Sequence, residues 1–460
     1  MRAIWLDNLP GICYYNINTA DRRCLEMKKL CWFMVLMLCL SMLGAAVAEG
    51  DPALFTDPEI GGKIDEAAAE AREQGWSELR IPQSVHGIGR EAISANALEA
   101  GQKLLDAGYQ AYLVGGAVRD MLLGMSINDF DISSDAPLEL EQTLFGEALS
   151  THGVEGSRAT FALVHFEDGE DIDLAPLRNV ETWLVGQPGV PETDSDSITS
   201  DSPLFDTYSR DLTINAFYYD LSSGDILDFH GGLSDLRDHI LRTIGDPDLQ
   251  LRNTPSRMLR YMRFLARYED FTLAPDLEEA LQEHKLEYAA LTEPLAAENQ
   301  LRRFWNGGYA AECFDVMLNY GLLGYYYAPV AELCNDEAYR AGVRAALAEL
   351  DAAHARGETV DPCMGTAVIV LPAVRARLDA MTPEEAAQAV LTEMESTYGF
   401  YGAEKDETAR LILDLLSQQQ AEEPAPEAEE PEAEESDPEA EEPEAEEPTP
   451  GTEEPAPEAA

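Results

Sequence analysis

Between Tyr109 and Ile132 the sequence reads as a short apolar strand, a glycine pair, a helix carrying an arginine, and a strand of alternating polarity. This order constrains the fold more than any other feature of the chain. Tyr109 to Val114 runs into Gly115-Gly116, a turn that exposes backbone N–H groups at the start of the next helix, where phosphates bind. Ala117 to Leu123 is that helix, and Arg119 adds a charge-assisted contact to an anion held there. Asp129-Phe130-Asp131-Ile132 alternates with the period of a half-buried strand, so both carboxylates point at one spot. Such a pair suits a hard divalent cation, Mg²⁺ or Mn²⁺, whose remaining ligands come from substrate phosphates. Each part alone has a plain alternative: a tight turn for the glycines, a solvated strand edge for the acids. In this order they predict a phosphate- and metal-binding site.

The flanking sequence sets the fold class. Residues 92–107 have the pattern of an amphipathic helix, and Phe161–Phe166 and Asp171–Leu174 alternate again on either side of Asp168-Gly169. An α+β head, a mixed sheet with flanking helices, is predicted over residues 81–247. Residues 179–207, rich in Pro, Gly, Asp and Ser, form a long loop within it. Helical periodicity then takes over, at 255–268, 276–288, 298–320, 338–355, 383–396 and 406–417. An all-α body follows the head, with a nucleotide- and RNA-binding part over 248–330 and a C-terminal part over 331–419. In its first helix Arg257, Arg260, Arg263 and Arg267 fall on one side and Met258, Leu259, Met262 and Leu265 on the other. The arginine stripe suggests a specific anionic ligand. The alternative is a solvated face balanced by nearby acids.

Charge narrows the partners. The chain has 31 basic and 87 acidic residues, a net charge of −56, and after residue 29 its lysines are Lys63, Lys103, Lys285 and Lys405. A broad basic face for nucleic acid is therefore excluded, and a polyanion must enter through a local cluster of arginines. Residues 420–460 are Glu, Pro and Ala in near-repeats, with no basic or aromatic residue, and are expected to be a disordered acidic tail. At the other end residues 1–26 read as an upstream extension. Lys28-Lys29, the apolar run Leu30–Leu43 and Ala46-Val47-Ala48 then read as a secretory signal peptide over Met27–Ala48. An exported chain without stable membrane association after cleavage is expected, the alternative being an uncleaved anchor. Residues 49–80 read as a linker. Beyond residue 48 the cysteines are Cys313, Cys334 and Cys363, which have no metal-ligand spacing and suit buried thiols, with one bridge at most.

The block YLVGGAVRDMLLGMSINDFDISSDA resembles the signature of the bacterial poly(A) polymerase and CCA-adding tRNA nucleotidyltransferase family, within the DNA polymerase β-like nucleotidyltransferases. The resemblance continues through SRDLTINAFYYD, DFHGGLSDLRDHILRTIGDP and SRMLRYMRFLARY, and covers roughly residues 81–330. The lead-in IGREAISANALEAGQKLLDAGYQAYLVGG and the later LDAAHARGETVDPCMGTAVIVLPAV tilt it toward the poly(A) polymerase branch. The resemblance implies a monomeric, metal-dependent enzyme that transfers a nucleotide, ATP's above all, to an RNA 3′ hydroxyl with release of pyrophosphate. The acceptor it implies is an RNA 3′ end, tRNA among the possible ones. By resemblance, Asp129 and Asp131 bind the metal and Asp173 is the third catalytic acid, with Asp171 its neighbour on the same face. Gly115, Gly116 and Arg119 hold the triphosphate. Arg210 reaches the nucleotide, Asp211 and Asn215 shape its pocket, and Arg257, Arg260 and Arg263 complete the nucleotide-binding set.

The family pattern breaks at one place. Its E-D-x-x-R motif, in which aspartate and arginine read the incoming base, is here Asn253-Thr254-Pro255-Ser256-Arg257. A threonine hydroxyl cannot supply an ionised acceptor pair. The family's substrates belong in the cytoplasm, so the leader is a second departure. Both leave open an alternative: an exported, catalytically weakened nucleotide-binding module of the same fold.

Overall fold

The structure, a computed structural model, describes residues 53–127, 129–153, 160–193, 198–399 and 403–422. The expected leader and nearly all of the expected acidic tail lie outside these residues. The head is built on an eight-stranded sheet. In chain order its strands are β1 (Leu79–Ile81), β2 (Ala111–Val114), β3 (Asp131–Ser134), β4 (Leu149–Gly153), β5 (Thr160–His165), β6 (Asp171–Pro176), β7 (Tyr218–Asp220) and β8 (Ile226–Asp228). Their spatial order is β1-β8-β7-β2-β3-β6-β5-β4, antiparallel throughout except where β3 runs parallel to β6. Strands of the kind expected at 109–114, 161–166 and 171–174 are present; β1, β4, β7 and β8 are additional.

Alternation along the central strands separates the two faces of the sheet. Leu113, Ile132, Ile172 and Leu174 point to one face and join the main core with Ala97, Ala100 and Leu104 of helix α1 (Ala95–Asp106). That helix begins where Ser94 accepts a hydrogen bond from the Ala97 amide at 3.1 Å, an N-cap that satisfies one of the free N–H groups. The opposite face carries Asp131 and Asp173. From β2 the chain turns at Gly115 into the short helix α2 (Gly116–Leu122); Gly115 has φ 67° and ψ −127°, open to glycine but not to residues with a Cβ.

Two expectations are corrected. Residues 49–80, read as a linker, contain a helix at Pro58–Gln74 and strand β1 at the sheet edge. The helix forms because Asp57 caps it, accepting from the Glu59 and Ile60 amides at 2.8 and 3.3 Å, and Ile64, Ala68 and Ala71 make a narrow buried stripe. That stripe of small residues is too thin to stand out in a sequence pattern. The single helix expected at 298–320 is two, α4 (Pro294–Trp305) and α5 (Ala310–Asn319). Gly308 adopts φ 79° between them, and Asp351 caps α5 by accepting from the Ala310 and Ala311 amides at 2.7 and 3.0 Å.

The body is helical to the end of the described residues, its last helix running from Ala403 to Glu422, slightly past the expected boundary at 419. It starts with α3 (Arg257–Arg267), whose Met258, Leu259 and Met262 are buried as the spacing predicts; Leu265 is only half-buried, while Tyr261 and Phe264 are buried in addition. Cys313 and Cys363 are buried free thiols and Cys334 is a half-buried one. Among the described residues no helix is long and apolar enough to cross a membrane.

Gly232 ties this scaffold to the site, because a Cβ there would lie 2.5 Å from the Thr213 carbonyl oxygen and 2.9 Å from the Phe217 ring. Thr213–Asn215 is the tight turn that presents Asn215. Gly232→Ala is expected to destabilise the protein by about 1–3 kcal/mol through overpacking against backbone. Urea denaturation measures this; an unchanged midpoint would mean that the turn yields freely.

Candidate active site

Parallel pairing of β3 with β6 sets Asp131 directly beside Asp173. Asp129 does not share the strand: β3 begins at Asp131, so Asp129 stands exposed in the approach to it. The argument from strand alternation therefore holds for Asp131 and Asp173, not for Asp129 with Asp131. The reason is that the loop after α2 delivers the chain to the sheet only at Asp131.

The carboxylates feel one another. Burial raises the Asp131 pKa to about 6, with Arg210 and Arg260 opposing and Asp173 and Asp129 adding to the rise. Asp173 is raised as well, by burial first, with His152 opposing and Asp129 and Asp171 reinforcing. Among the described residues no group of three His, Cys, Asp or Glu side chains is drawn together tightly enough to hold a metal unaided. What the site offers is hard oxygen donors under mutual repulsion. That donor set fits a divalent cation completed by substrate oxygens, the way Mg²⁺ is usually held.

Behind the carboxylates lies a buried ion-pair hub that sequence reasoning missed. Asp206 is fully buried; it meets Arg178 Nε at 2.9 Å and Arg210 Nη2 at 2.8 Å and accepts from the Tyr218 hydroxyl at 2.6 Å. Burial alone would raise its pKa, but the two arginines and these hydrogen bonds hold it well below the usual carboxylate range. Arg210 also donates to Ser133 Oγ at 3.1 Å, fixing its guanidinium on the face of β3 that carries Asp131. A Cβ on Gly115 would lie 3.7 Å from Arg210 Nη1, so glycine turn, arginine and Asp131 converge.

The other expected nucleotide-binding side chains form a second internal network. Arg119 is buried; its Nε donates to Asp120 Oδ1 at 2.9 Å, its Nη1 donates to Asn215 Oδ1, and it lies over the Phe264 and Tyr268 rings. Asn215 passes the contact on, donating to Asp211 Oδ1 at 2.9 Å, and Asp211 pairs with Arg260 Nε at 2.6 Å. Burial would raise Asp211, yet Arg260, Arg257 and Asn215 together lower it. Arg257 donates to Gln250 and, at 2.7 Å, to the Ser209 carbonyl. Arg267 pairs with Asp120 at 3.0 Å. For Arg260 and Arg267 the balancing acids of the alternative reading are thus present. Arg263 differs, donating to the Tyr309 hydroxyl at 3.3 Å and facing a cavity between head and body. Gly116 lies at the start of α2, a Cβ there falling 3.4 Å from Arg119. Thr254, at the base-reading position, ends the preceding helix Pro247–Asn253, its amide bonded to the Gln250 carbonyl at 2.8 Å.

Asp120 and Asp206 were missed because their importance lies in tertiary pairing with arginines distant in sequence, of which no local pattern gives a sign.

Residues 111–242 match the poly(A) polymerase head domain. Poly(A) polymerase I of Escherichia coli O6:H1 is 32% identical over 248 residues, 53% of this chain and 52% of that protein. The CCA-adding enzyme of Bacillus subtilis is 34% identical over 195 residues, 42% of this chain and 46% of that protein. The chain thus spans about half the length of the curated relatives it matches. A solved structure described as a tRNA-processing enzyme in apo form I aligns with a TM-score of 0.51 at 21% identity, covering 72% of this chain and 81% of that one. It shares the fold, a mixed-sheet head followed by a helical body.

The raised Asp131 pKa has a consequence for stability. Asp in unfolded chains titrates at about 3.9. Folded Asp131, at about 6, holds its proton more tightly. Its contribution to stability is therefore complete below about pH 4 and is lost as pH rises through 6. Asp131→Asn carries no charge to bury and is expected to be more stable than the parent at pH 8, by about 1–3 kcal/mol, with the gain gone below about pH 4. Denaturant melts in chelator at the two pH values test this. A variant no more stable at pH 8 would contradict the burial of charge described.

Proposed function

We propose, from the match of residues 111–242 to the poly(A) polymerase head domain and the likeness to poly(A) polymerase I and the CCA-adding enzyme, that the chain is a template-independent RNA nucleotidyltransferase using ATP. The observation that carries this reading is the level pairing of Asp131 with Asp173, with Asp129 at the mouth and the Gly115 turn beside them. In the reaction an RNA 3′ oxygen bonds to the α-phosphorus, the bond to the bridging oxygen breaks, and pyrophosphate leaves with the electron pair. A divalent cation bound by Asp129 and Asp131 would supply charge neutralisation for the phosphates. Asp173, its basicity raised by burial and by neighbouring acids, is suited to take the hydroxyl proton. The N–H groups at the start of α2 face the phosphates, and Arg210, anchored by Asp206, adds positive charge without needing to reorganise. Preference for ATP rests on the poly(A) polymerase-like segments flanking the head. Thr254 offers one hydroxyl where an ionised pair would read the base, so discrimination among nucleotides should be weak.

A second reading, nucleotide binding without transfer, is favoured by one observation. Arg119, Arg210 and Arg260 are already ion-paired and would have to share their charge with a ligand.

Incorporation of labelled nucleoside triphosphates into a short RNA primer, with Mg²⁺ or Mn²⁺, separates the two readings. The expected outcome is extension by ATP, with slower misincorporation of the others, and loss of at least about a thousandfold when Asp129 and Asp131 are both replaced by Asn. Binding of Mg²⁺-ATP with no pyrophosphate released would select the second reading. Equal incorporation by parent and variant would remove the carboxylates from the chemistry.

A further inference from the structure

Head and body enclose a cavity of about 690 Å³ whose described lining carries four arginines, Arg263, Arg267, Arg302 and Arg303, and one acid, Asp129. Two of the four are neutralised within the fold: Arg267 pairs with Asp120 at 3.0 Å and Arg302 pairs with Glu404. The other two are not. Arg263 donates to the Tyr309 hydroxyl at 3.3 Å, and its Nε is buried without a partner. Arg303, exposed on the cavity wall, has no ion pair or hydrogen bond among the described residues. Guanidinium groups gathered with too few acids attract an anion from beyond those residues.

The chain carries such an anion itself. Glu404, the acid that neutralises Arg302, stands in the first turn of the last helix, Ala403–Glu422, so that helix begins at the rim of the cavity. Glu422, eighteen residues on, lies about 27 Å away along the helix axis at 1.5 Å per residue. Residues 423–460 follow, outside the described residues, with 17 acids and no basic residue. A fully extended chain covers about 3.3–3.6 Å per residue, so roughly nine of them suffice to return to the cavity and the rest can enter it. The acids recur in near-repeats, EEPEAEESDPEAEEPEAEEP, so many registers present carboxylates close together. When one carboxylate leaves a guanidinium a neighbour can replace it, which raises occupancy without any new contact. Tethering also favours this segment over the same segment of a second copy. Joined to its site it acts at an effective concentration of about a millimolar, whereas the second copy must bring two strongly acidic bodies together.

We propose that the acidic segment 423–460 docks in cis into the cavity between head and body, its glutamates taking the guanidinium groups of Arg263 and Arg303. The proposal stands apart from the transferase reading, because it concerns charge and reach alone. The chain's own carboxylates occupy the cavity at low salt, and screening releases them as salt rises. Any other anion that enters must displace them.

The test is the rate at which phenylglyoxal, a reagent for accessible guanidinium groups, modifies each arginine, followed by mass spectrometry. The parent is compared with a variant in which every Glu of 423–460 is replaced by Gln and Asp437 by Asn, with residues 1–422 and the length unchanged. In about 20 mM salt Arg303 is expected to react about fivefold more slowly in the parent, the protection that a millimolar effective concentration gives a segment held by a few exposed ion pairs. In about 0.5 M salt the difference should vanish. Arg80, on β1 and paired with Asp225, is the reference and should react equally in both chains. As a second measurement, a water-soluble carbodiimide should join the amine of the Arg303→Lys variant to glutamates of 423–460, and should not join Lys63, on the Pro58–Gln74 helix, to them. Equal Arg303 rates in the two chains at low salt would overturn the proposal, as would links from Lys63 as frequent as those from position 303. So would protection lost on dilution from about 50 μM to about 0.5 μM protein, which would assign the segment of a second copy. Protection that survives neutralisation of the acids but not nuclease treatment would also overturn it, assigning the cavity to a copurified nucleic acid.

Discussion

The site depends on one parallel contact in an otherwise antiparallel head sheet. Because β3 runs alongside β6 in the same direction, Asp131 stands level with Asp173. Because both strands alternate, the residues next to them, Ile132, Ile172 and Leu174, must all point into the core. A slip of one residue in either strand would bury a carboxylate among those side chains and expose an aliphatic one, so the apolar face fixes the register of the acidic face. The same contact sets the electrostatic cost: like charges held side by side and partly removed from water. A cation or a proton relieves that cost; Arg210 and Arg260 oppose it only in part, being already paired with Asp206 and Asp211.

How those arginines are engaged explains how so acidic a chain keeps a positive site. Asp206 collects Arg178 and Arg210, Asp211 takes Arg260, and Asp120 takes Arg119 and Arg267. Each acid is buried, and a buried charge without its partner is worth several kcal/mol of instability, so these pairs bind the arginines to fixed positions. They are preorganised, at the cost of charge available to a ligand. Arg303, on the cavity between head and body, is the reverse case, with no ion pair among the described residues. The fold thus sorts its arginines into those that position the head's acids and those left facing the cavity. Net charge describes neither group.

Much of this was legible before any coordinates. The strand, glycine turn, helix and acidic strand follow from local patterning, and the core side of Arg257–Arg267 follows from helical spacing. Local patterning was less reliable about Asp129, because period-two alternation cannot say where a strand begins. It also failed at Pro58–Gln74, whose buried stripe is Ile64, Ala68 and Ala71, and at Gly307-Gly308, where a distant acid, Asp351, settles the break by capping the next helix. The arginine stripe was visible as a stripe, but which of its members were already neutralised was not. Asp120 and Asp211 are far from them in sequence and meet them only in the folded chain.

The departure at Thr254 can be placed in the same terms. A base-reading acid at this point would sit at the end of the helix Pro247–Asn253, next to Arg257. Arg257 instead donates to Gln250 and to the Ser209 carbonyl, so its position is held by neutral partners. A missing carboxylate would leave a buried arginine stranded if the two had been each other's main support; here the arginine keeps its hydrogen bonds without one. Loss of the acid therefore need not disturb the phosphate side of the site, where Arg210 depends on Asp206 and the Gly115 turn on backbone alone. Base recognition and phosphate handling rest on separate supports in this fold. A change that weakens the first can leave the second intact.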